Sequence, residues 1–558
     1  MEVRIIRTCR LAVGAVSALL LASAPAAASR APQGELLAYV RARAAGSLGA
    51  DDRALRDYSA SLAFSPGNKV VATGALRQAL AAGERDLAVK AARTLEQAGA
   101  VAPDVRFVLL TEAVRTGNWA EANRNIDLLA DDQVFAFVAP VLRAWVAVGS
   151  RQADPIAILH AGASDQLAGS YIAEHRPLIL LALGREPEGL VEVRNRSEAH
   201  DTRTQRLVVS AAARLAREGK RDQALALLGG DEPAIVNARG WLDKHDRLPG
   251  EIATPAQGVA EFFLRIAIDL RRQDVGALAL SFARLSTFLE TDYSEGWLVT
   301  SQLLAGQDDN RQALAVLRNI PASDPSAGIA KDVRIGLLAA LGDNAAALKE
   351  AKKEVKARDA AAADWMRLGD LYSQLERHPD AADAYARALK APGAESLDRP
   401  TWAVWLLLGG ARDRSGQWPQ AKEALETAYR LAPGEPLVLN YLGYAQLERR
   451  ENIDAAEKLI SEANRLQPDS AQITDSLGWA HYLQGDYARA IELLERAVQG
   501  EPTDSAINEH LGDAYYSAGR RYEARYAWGA ALVTADAKDV PRIRAKIENG
   551  LTPELASP

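Results

Sequence analysis

Apolar and small residues recur at a fixed interval along the last third of the chain, with polar stretches between them. Leu-Gly pairs stand at Leu368-Gly369, Leu408-Gly409, Leu442-Gly443, Leu477-Gly478 and Leu511-Gly512, and their glycines lie 40, 34, 35 and 34 residues apart. Two helices of about 14 residues and two short turns fill such an interval, so each period predicts one helix–turn–helix unit. Other positions keep the same phase. Trp405, Gly416, Trp418, Ala421, Leu425, Ala428 and Pro433 accompany Gly409, and Gly485, Tyr487, Ala490, Leu494, Ala497 and Pro502 accompany Gly478. Tyr515, Gly519, Ala524, Trp528 and Ala531 follow Gly512. The unit of Gly443 carries one extra residue near Asn452 before Ala456, Ile460, Ala463 and Pro468 recover the phase. The unit of Trp365 and Gly369 has Tyr372, Ala381, Tyr385 and Ala388, then a longer exit through Pro392 to Pro400.

Each recurring residue has a steric reason. The first glycine and the small alanine belong where the two helices cross, since a larger side chain would part the backbones. The second glycine permits a positive φ at the end of the first helix. A bulky residue on the second helix is expected to fill the gap to the next unit, and the proline ends that helix.

The same pattern runs more faintly through the first half. Ala42, Gly49, Ala54, Tyr58 and Pro66 fit a first unit. Gly83 with Ala88, Gly117-Asn118-Trp119 with Ala122, Gly219 with Ala224, and Gly342 mark later turns, and Trp297 with Ala313 and Leu317 continues the series. Between Ala130 and Pro255 the phase slips and inserted prolines predict irregular pairs. The expected organisation is a signal segment over 1–28, degenerate repeats over 29–360, a regular array over 361–534, and a capping helix with tail over 535–558. Asp539 and Pro541 start that last helix, Gly550 stops it, and Val540, Ile543, Ile547 and Leu551 form its one apolar stripe. An end unit needs such a cap because its stacking face is otherwise bare. About a dozen helix pairs are expected in all.

The register Trp-x-x-Leu-Gly-x-x-Tyr, Ala-x-x-x-bulky, Pro resembles the tetratricopeptide repeat. The resemblance implies an all-α, right-handed superhelical solenoid whose first helices line a concave groove. In each unit the positions three before the glycine, one after it and four after it are then expected to face that groove. They are Asn440, Tyr444 and Leu447; Asp475, Trp479 and Tyr482; and Glu509, Asp513 and Tyr516. Tetratricopeptide domains that hold a peptide's terminal carboxylate need basic and amide groups there. Here rings and carboxylates stand instead, which suits a partner segment with basic and apolar residues. The phrases Asn440-Tyr-Leu-Gly-Tyr444 and Asp475-Ser-Leu-Gly-Trp479 are similar to tetratricopeptide proteins of the proteobacterial envelope, some of which are adaptors for a carboxy-terminal processing protease. The resemblance implies a scaffold with protein partners, such as a periplasmic protease and its substrates or outer-membrane assembly factors. A peptidoglycan or polysaccharide ligand stacked on the groove aromatics is the alternative.

Composition narrows the picture. With 558 residues, one compact core is too small a home for the chain. Arg4, Arg7 and Arg10, the apolar run Leu11–Ala22 and Pro25–Ala28 predict an export signal cleaved after Ala28 and a periplasmic address. Its removal moves the formal charge from −7 to −9, a poor footprint for nucleic acid. No other run is long and apolar enough to span a membrane. The single cysteine, Cys9, precedes the apolar run, so neither a disulfide nor a lipid-bearing cysteine is expected in the mature chain. The seven histidines show no zinc-protease spacing, and no phosphate-cradling loop or nucleophile elbow occurs. A non-enzymatic protein without a cofactor is expected.

Overall fold

The computed structural model describes residues 31–558, apart from 101, 164–165, 198–201, 231, 357–359, 398 and 558. The export signal expected over 1–28 lies outside the described residues. Among the described residues, thirty α-helices pack in antiparallel pairs, about fifteen pairs rather than a dozen. The difference comes from short helices such as Pro155–Gly162, Arg221–Leu227 and Asn310–Val316, which use less chain than the full period. The helices form two compact units that part between Leu341 and Gly342, so Asn344–Glu354 belongs with the second.

The first unit opens with regular hairpins, Ala31–Ser47 with Asp51–Phe64, Lys69–Ala82 with Arg85–Gln97, and Pro103–Thr116 with Trp119–Ala130. The second helix of a pair is amphipathic. Arg85–Gln97 buries Ala88, Ala91, Ala92 and Leu95 and leaves Asp86 and Lys90 in solvent. Beyond Ala130 the pairs shorten, and Pro177 sits inside the helix Gln166–Ala182. The chain then turns back. Thr254 and Gln257 form a reciprocal cap on the helix Pro255–Arg272, which pairs with Gly276–Leu289. This hairpin packs against the first helices of earlier pairs, Lys69–Ala82, Pro103–Thr116, Ala139–Ser150 and Gln166–Ala182. Phe263 and Phe282 meet Phe107 edge-on at 5.8 and 5.0 Å. Trp145 lies over Gly258 so closely that an added Cβ would come within 2.1 Å of its ring. The inner face of this unit is therefore filled by its own hairpin.

The second unit contains five regular pairs, beginning at Ala362–Gln374 and ending at Arg521–Thr534. Every signature glycine sits against the second helix of its own pair. A Cβ at Gly369, Gly409, Gly443, Gly478 or Gly512 would approach Tyr385, Leu425, Ile460, Leu494 or Trp528 to 2.5, 2.6, 2.6, 2.8 and 2.3 Å. This corrects the role expected for the bulky residue, which fills the space over its own unit's glycine before it reaches a neighbour. Gly485 and Gly519 end their first helices' turns at φ +83° and +82°. The pair built on Gly443 has no glycine there. Arg450 and Asn452 take positive φ instead, 54° and 49°, which is how the extra residue is absorbed. The last helix, Val540–Asn549, buries Ile543 completely against Ala524, Trp528 and Ala531, with Ile547 and Leu551 alongside, and caps the array as its stripe predicts. No described helix is long and apolar enough to cross a membrane.

Candidate functional site

The first helices Thr401–Arg414, Pro436–Leu447, Ala471–Leu483 and Ser505–Ser517 succeed one another along the second unit. Side chains at equivalent turns of neighbouring first helices come together, and these are the positions the sequence marks as groove. They fall into three groups.

Asn440, Tyr444 and Asp475 line an open recess of about 430 Å³, with Asp413, Tyr441, Glu448, Arg449 and Ile507. Arg449 is ion-paired with Asp413, lies 3.6 Å from Glu448 and sits 4.1 Å over the Trp418 ring. Arg414 lines the recess as well, so two arginines face four carboxylates, Asp413, Glu448, Asp475 and Asp504. Burial raises the Asp413 carboxyl against the pull of Arg449. Burial and then Asp413 raise Glu448. Burial pushes the Tyr444 phenol far up, helped by Asp475, Glu448 and Glu509. Burial leads each shift, and neighbouring carboxylates add to it only at Glu448 and Tyr444. Asn440 keeps a buried Oδ1 that meets no donor among the described residues. The recess can therefore accept hydrogen bonds and positive charge, and its tyrosine faces can take apolar groups.

Leu447, Trp479 and Tyr482 form a second group, and the first two have no surface for a partner. Leu447 is wholly enclosed among Leu439, Ile460 and Ala480. Trp479, 1% exposed, is sandwiched between Tyr482 at 4.4 Å and His510 at 4.2 Å, both nearly parallel to it. His510 is in turn held by Asp475 at 2.9 Å. The next repeat supplies the histidine that seals the indole, so the ring serves the seam between units.

Glu509, Asp513 and Tyr516 lie on the last first helix and are covered from the C-terminal side. Lys546 of the capping helix, fully buried, places its ammonium 2.6 Å from Glu509 and 2.8 Å from both oxygens of Asp513. Trp528 Nε1 donates to the same carboxylate. An added Cβ at Gly550 would come within 2.3 Å of the Tyr516 hydroxyl.

Asp413 and Glu448 escaped the sequence reading although a signal existed for the first. Asp413 stands four after Gly409, the same place in its unit that Tyr482 and Tyr516 hold in theirs, so the rule extended by one unit would have found it. Glu448, just past its helix, follows no such rule.

A cavity of similar size, about 410 Å³, lies in the first unit beside Arg206, Arg265 and Tyr293. Two of its arginines are bound within the unit, Arg206 to Glu261, Glu295 and Tyr293, and Arg265 to Glu261 and Glu174. With Arg271 and Arg272 the lining holds four arginines to three carboxylates, Asp292, Glu295 and Asp324, so its surplus is positive where that of the recess is negative.

Stacked helix pairs with a glycine crossing, a sealed seam and an open inner face define a repeat solenoid. Two family models, both described as tetratricopeptide repeat, match residues 406–471 and 481–545. The TPR repeat-containing protein PA0015 of Pseudomonas aeruginosa is 36% identical over 83 residues, 15% of this chain and 75% of that protein. The TPR repeat-containing protein PA4667 of the same organism is 36% identical over 94 residues, 17% of this chain, and the match spans only 16% of the relative's length. Among solved structures, the APC/C hetero-tetramer Cut9-Hcn1 aligns over 93% of this chain and 96% of that chain at 15% identity, with a TM-score of 0.37. The chain belongs to the tetratricopeptide repeat family.

Proposed function

We propose that the protein is a non-enzymatic scaffold of the bacterial cell envelope that holds a basic, partly apolar segment of a client protein in the recess between Asp413 and Asp475. Tetratricopeptide repeats generally mediate protein–protein contacts. The observation that carries the finer reading is the recess itself: four carboxylates, of which Asp475 already holds His510, against Arg414 and Arg449, and an amide oxygen with no donor among the described residues. A lysine or arginine side chain satisfies the charge, main-chain N–H groups satisfy the oxygens, and Tyr441 and Tyr444 offer apolar faces. The envelope address rests on the export pattern of residues 1–28. Adaptor work for a periplasmic protease and its substrates, or for outer-membrane assembly, fits the same recess. Glycan stacking loses its best ring, because both faces of Trp479 are already taken.

The test is affinity capture from envelope extract by the mature protein and by its Glu448→Lys variant, which reverses charge at the rim without entering the core. A client held by the parent, released by salt and lost from the variant at unchanged helicity supports the reading. Equal capture by both proteins would overturn it.

A further inference from the structure

The C-terminal tail returns to the same row of inner positions that the recess occupies further back. After Gly550, Leu551 joins the apolar cluster of Trp528, Ile543 and Tyr516. The chain turns, with Leu555 N donating to Thr552 O, and reaches Ser557, which is 8% exposed. There the Ser557 main-chain N–H and its hydroxyl both donate to Asp513 Oδ2 at 2.9 Å, and the hydroxyl oxygen accepts from Lys546 at 2.9 Å.

The ion balance at this place does not need the tail. Lys546 and Arg542 already face Glu509 and Asp513, with Arg542 2.8 Å from Glu509. Ser557 adds no charge. It contributes two neutral donors to a carboxylate oxygen that already accepts from Lys546, and a short segment leads up to it from one aliphatic anchor. That is how a peptide ligand is held: an apolar side chain at one end, and a main-chain N–H with an adjacent hydroxyl at the other.

We propose that Asp513 and the Leu551 pocket form a seat for a short, turned peptide segment, occupied in the resting protein by the chain's own residues 551–557. A client segment bearing an aliphatic residue and, further on, a serine or threonine exchanges with the tail. Because the recess lining includes Ile507, of the same helix that carries Asp513, and Asp504, which caps that helix, a client in the recess has its continuation at this seat. In this respect the inference rests on the scaffold reading above.

The experiment uses the full protein and a labelled synthetic peptide of the sequence Leu551 to Pro558. Ser557→Pro removes both donors to Asp513 and is expected to release the tail, read as loss of amide-exchange protection over 551–557. The peptide should then bind the variant at least tenfold more tightly than the parent, whose own tail competes. A peptide with alanine in place of its serine should bind the variant several-fold more weakly. Helicity equal to the parent's guards against global unfolding. Unchanged protection of the tail in the variant, equal peptide affinity for both proteins, or no binding to a variant whose tail is free would each overturn the seat and leave the tail a fixed part of the cap. Client capture sensitive to Glu448→Lys without peptide exchange sinks the seat alone. Exchange without client capture sinks the recess alone.

Discussion

Lys546 and Asp513 lie 2.8 Å apart, and neither side chain reaches solvent. The ammonium is shared with Glu509, which also meets Arg542, so the capping helix sets two cations against two carboxylates of the last repeat. Lys546→Met preserves the packing volume but leaves Asp513 buried without a cation, while Glu509 keeps Arg542. A loss of about 3–5 kcal/mol is expected, read as a lower urea midpoint for the second unit. A loss under about 1 kcal/mol would mean that Arg542 alone suffices.

Gly512→Ala and Gly529→Ala form a matched pair. The first places a methyl 2.3 Å from the Trp528 ring, whereas the second meets nothing within 4 Å. Gly512→Ala should cost about 1–3 kcal/mol through overpacking. Gly529→Ala should gain up to about 1 kcal/mol from helix propensity alone. Thermal unfolding midpoints moving in opposite directions would bear this out, and a common direction would refute it.

Trp479→Ala and Glu448→Lys should separate stability from binding. Removing an indole enclosed by Tyr482 and His510 leaves a cavity and costs about 3–5 kcal/mol. Reversing the rim carboxylate leaves the melting temperature within about 1 °C and lowers client affinity at least tenfold. A Trp479→Ala protein that melts like the parent would show that the stack carries no load at the seam.

The two buried histidines give pH responses of opposite sign. His175 accepts a hydrogen bond from Trp145 Nε1 at 3.0 Å, and burial lowers its pKa from 6.5 to about 4. The unfolded ring takes a proton that the folded ring refuses, so this contribution is present above pH 6.5 and is lost as pH falls toward 4. The slope is about 1.4 kcal/mol per unit. For His510, burial pulls down, but Asp475, with Asp513 and Glu509 behind it, outweighs burial and raises the pKa. Its contribution is full below 6.5 and is lost as pH rises through the folded value. Amide exchange, corrected for intrinsic rates, should show Gln166–Ala182 less protected at pH 5 than at pH 8 and Ser505–Ser517 more protected. Matching changes in both helices would contradict these assignments.

The crossings in the second unit were legible because they are steric. Gly512 and Trp528 stand sixteen apart, as do Gly478 and Leu494, and only one backbone arrangement admits both. The capping stripe was legible for the same reason, Ile543 having one face to bury. Exposure was not. Whether Trp479 lines a groove or a seam depends on His510, which belongs to the next unit. Lys546 reads in sequence as a solvated lysine until the carboxylates of another helix are placed beside it. The return of Pro255–Leu289 onto helices as far back as Lys69–Ala82 leaves no periodic trace, because the apolar pattern of a buried hairpin is the same whatever it is buried against.

That returning hairpin changes how the first unit must come apart. A solenoid whose repeats touch only their neighbours frays from an end, and repeats can be removed from it one at a time. Arg284 donates to the carbonyl of Ala81, and Gln312 bonds Asp51, so the opening hairpins are tied to helices that emerge long afterwards. Removal of the first two pairs bares the inner hairpin, and removal of the inner hairpin bares the first helices that surround it. The first unit therefore opens and closes as a single cooperative body that forms slowly through distant contacts, and its length cannot be trimmed as that of the second can.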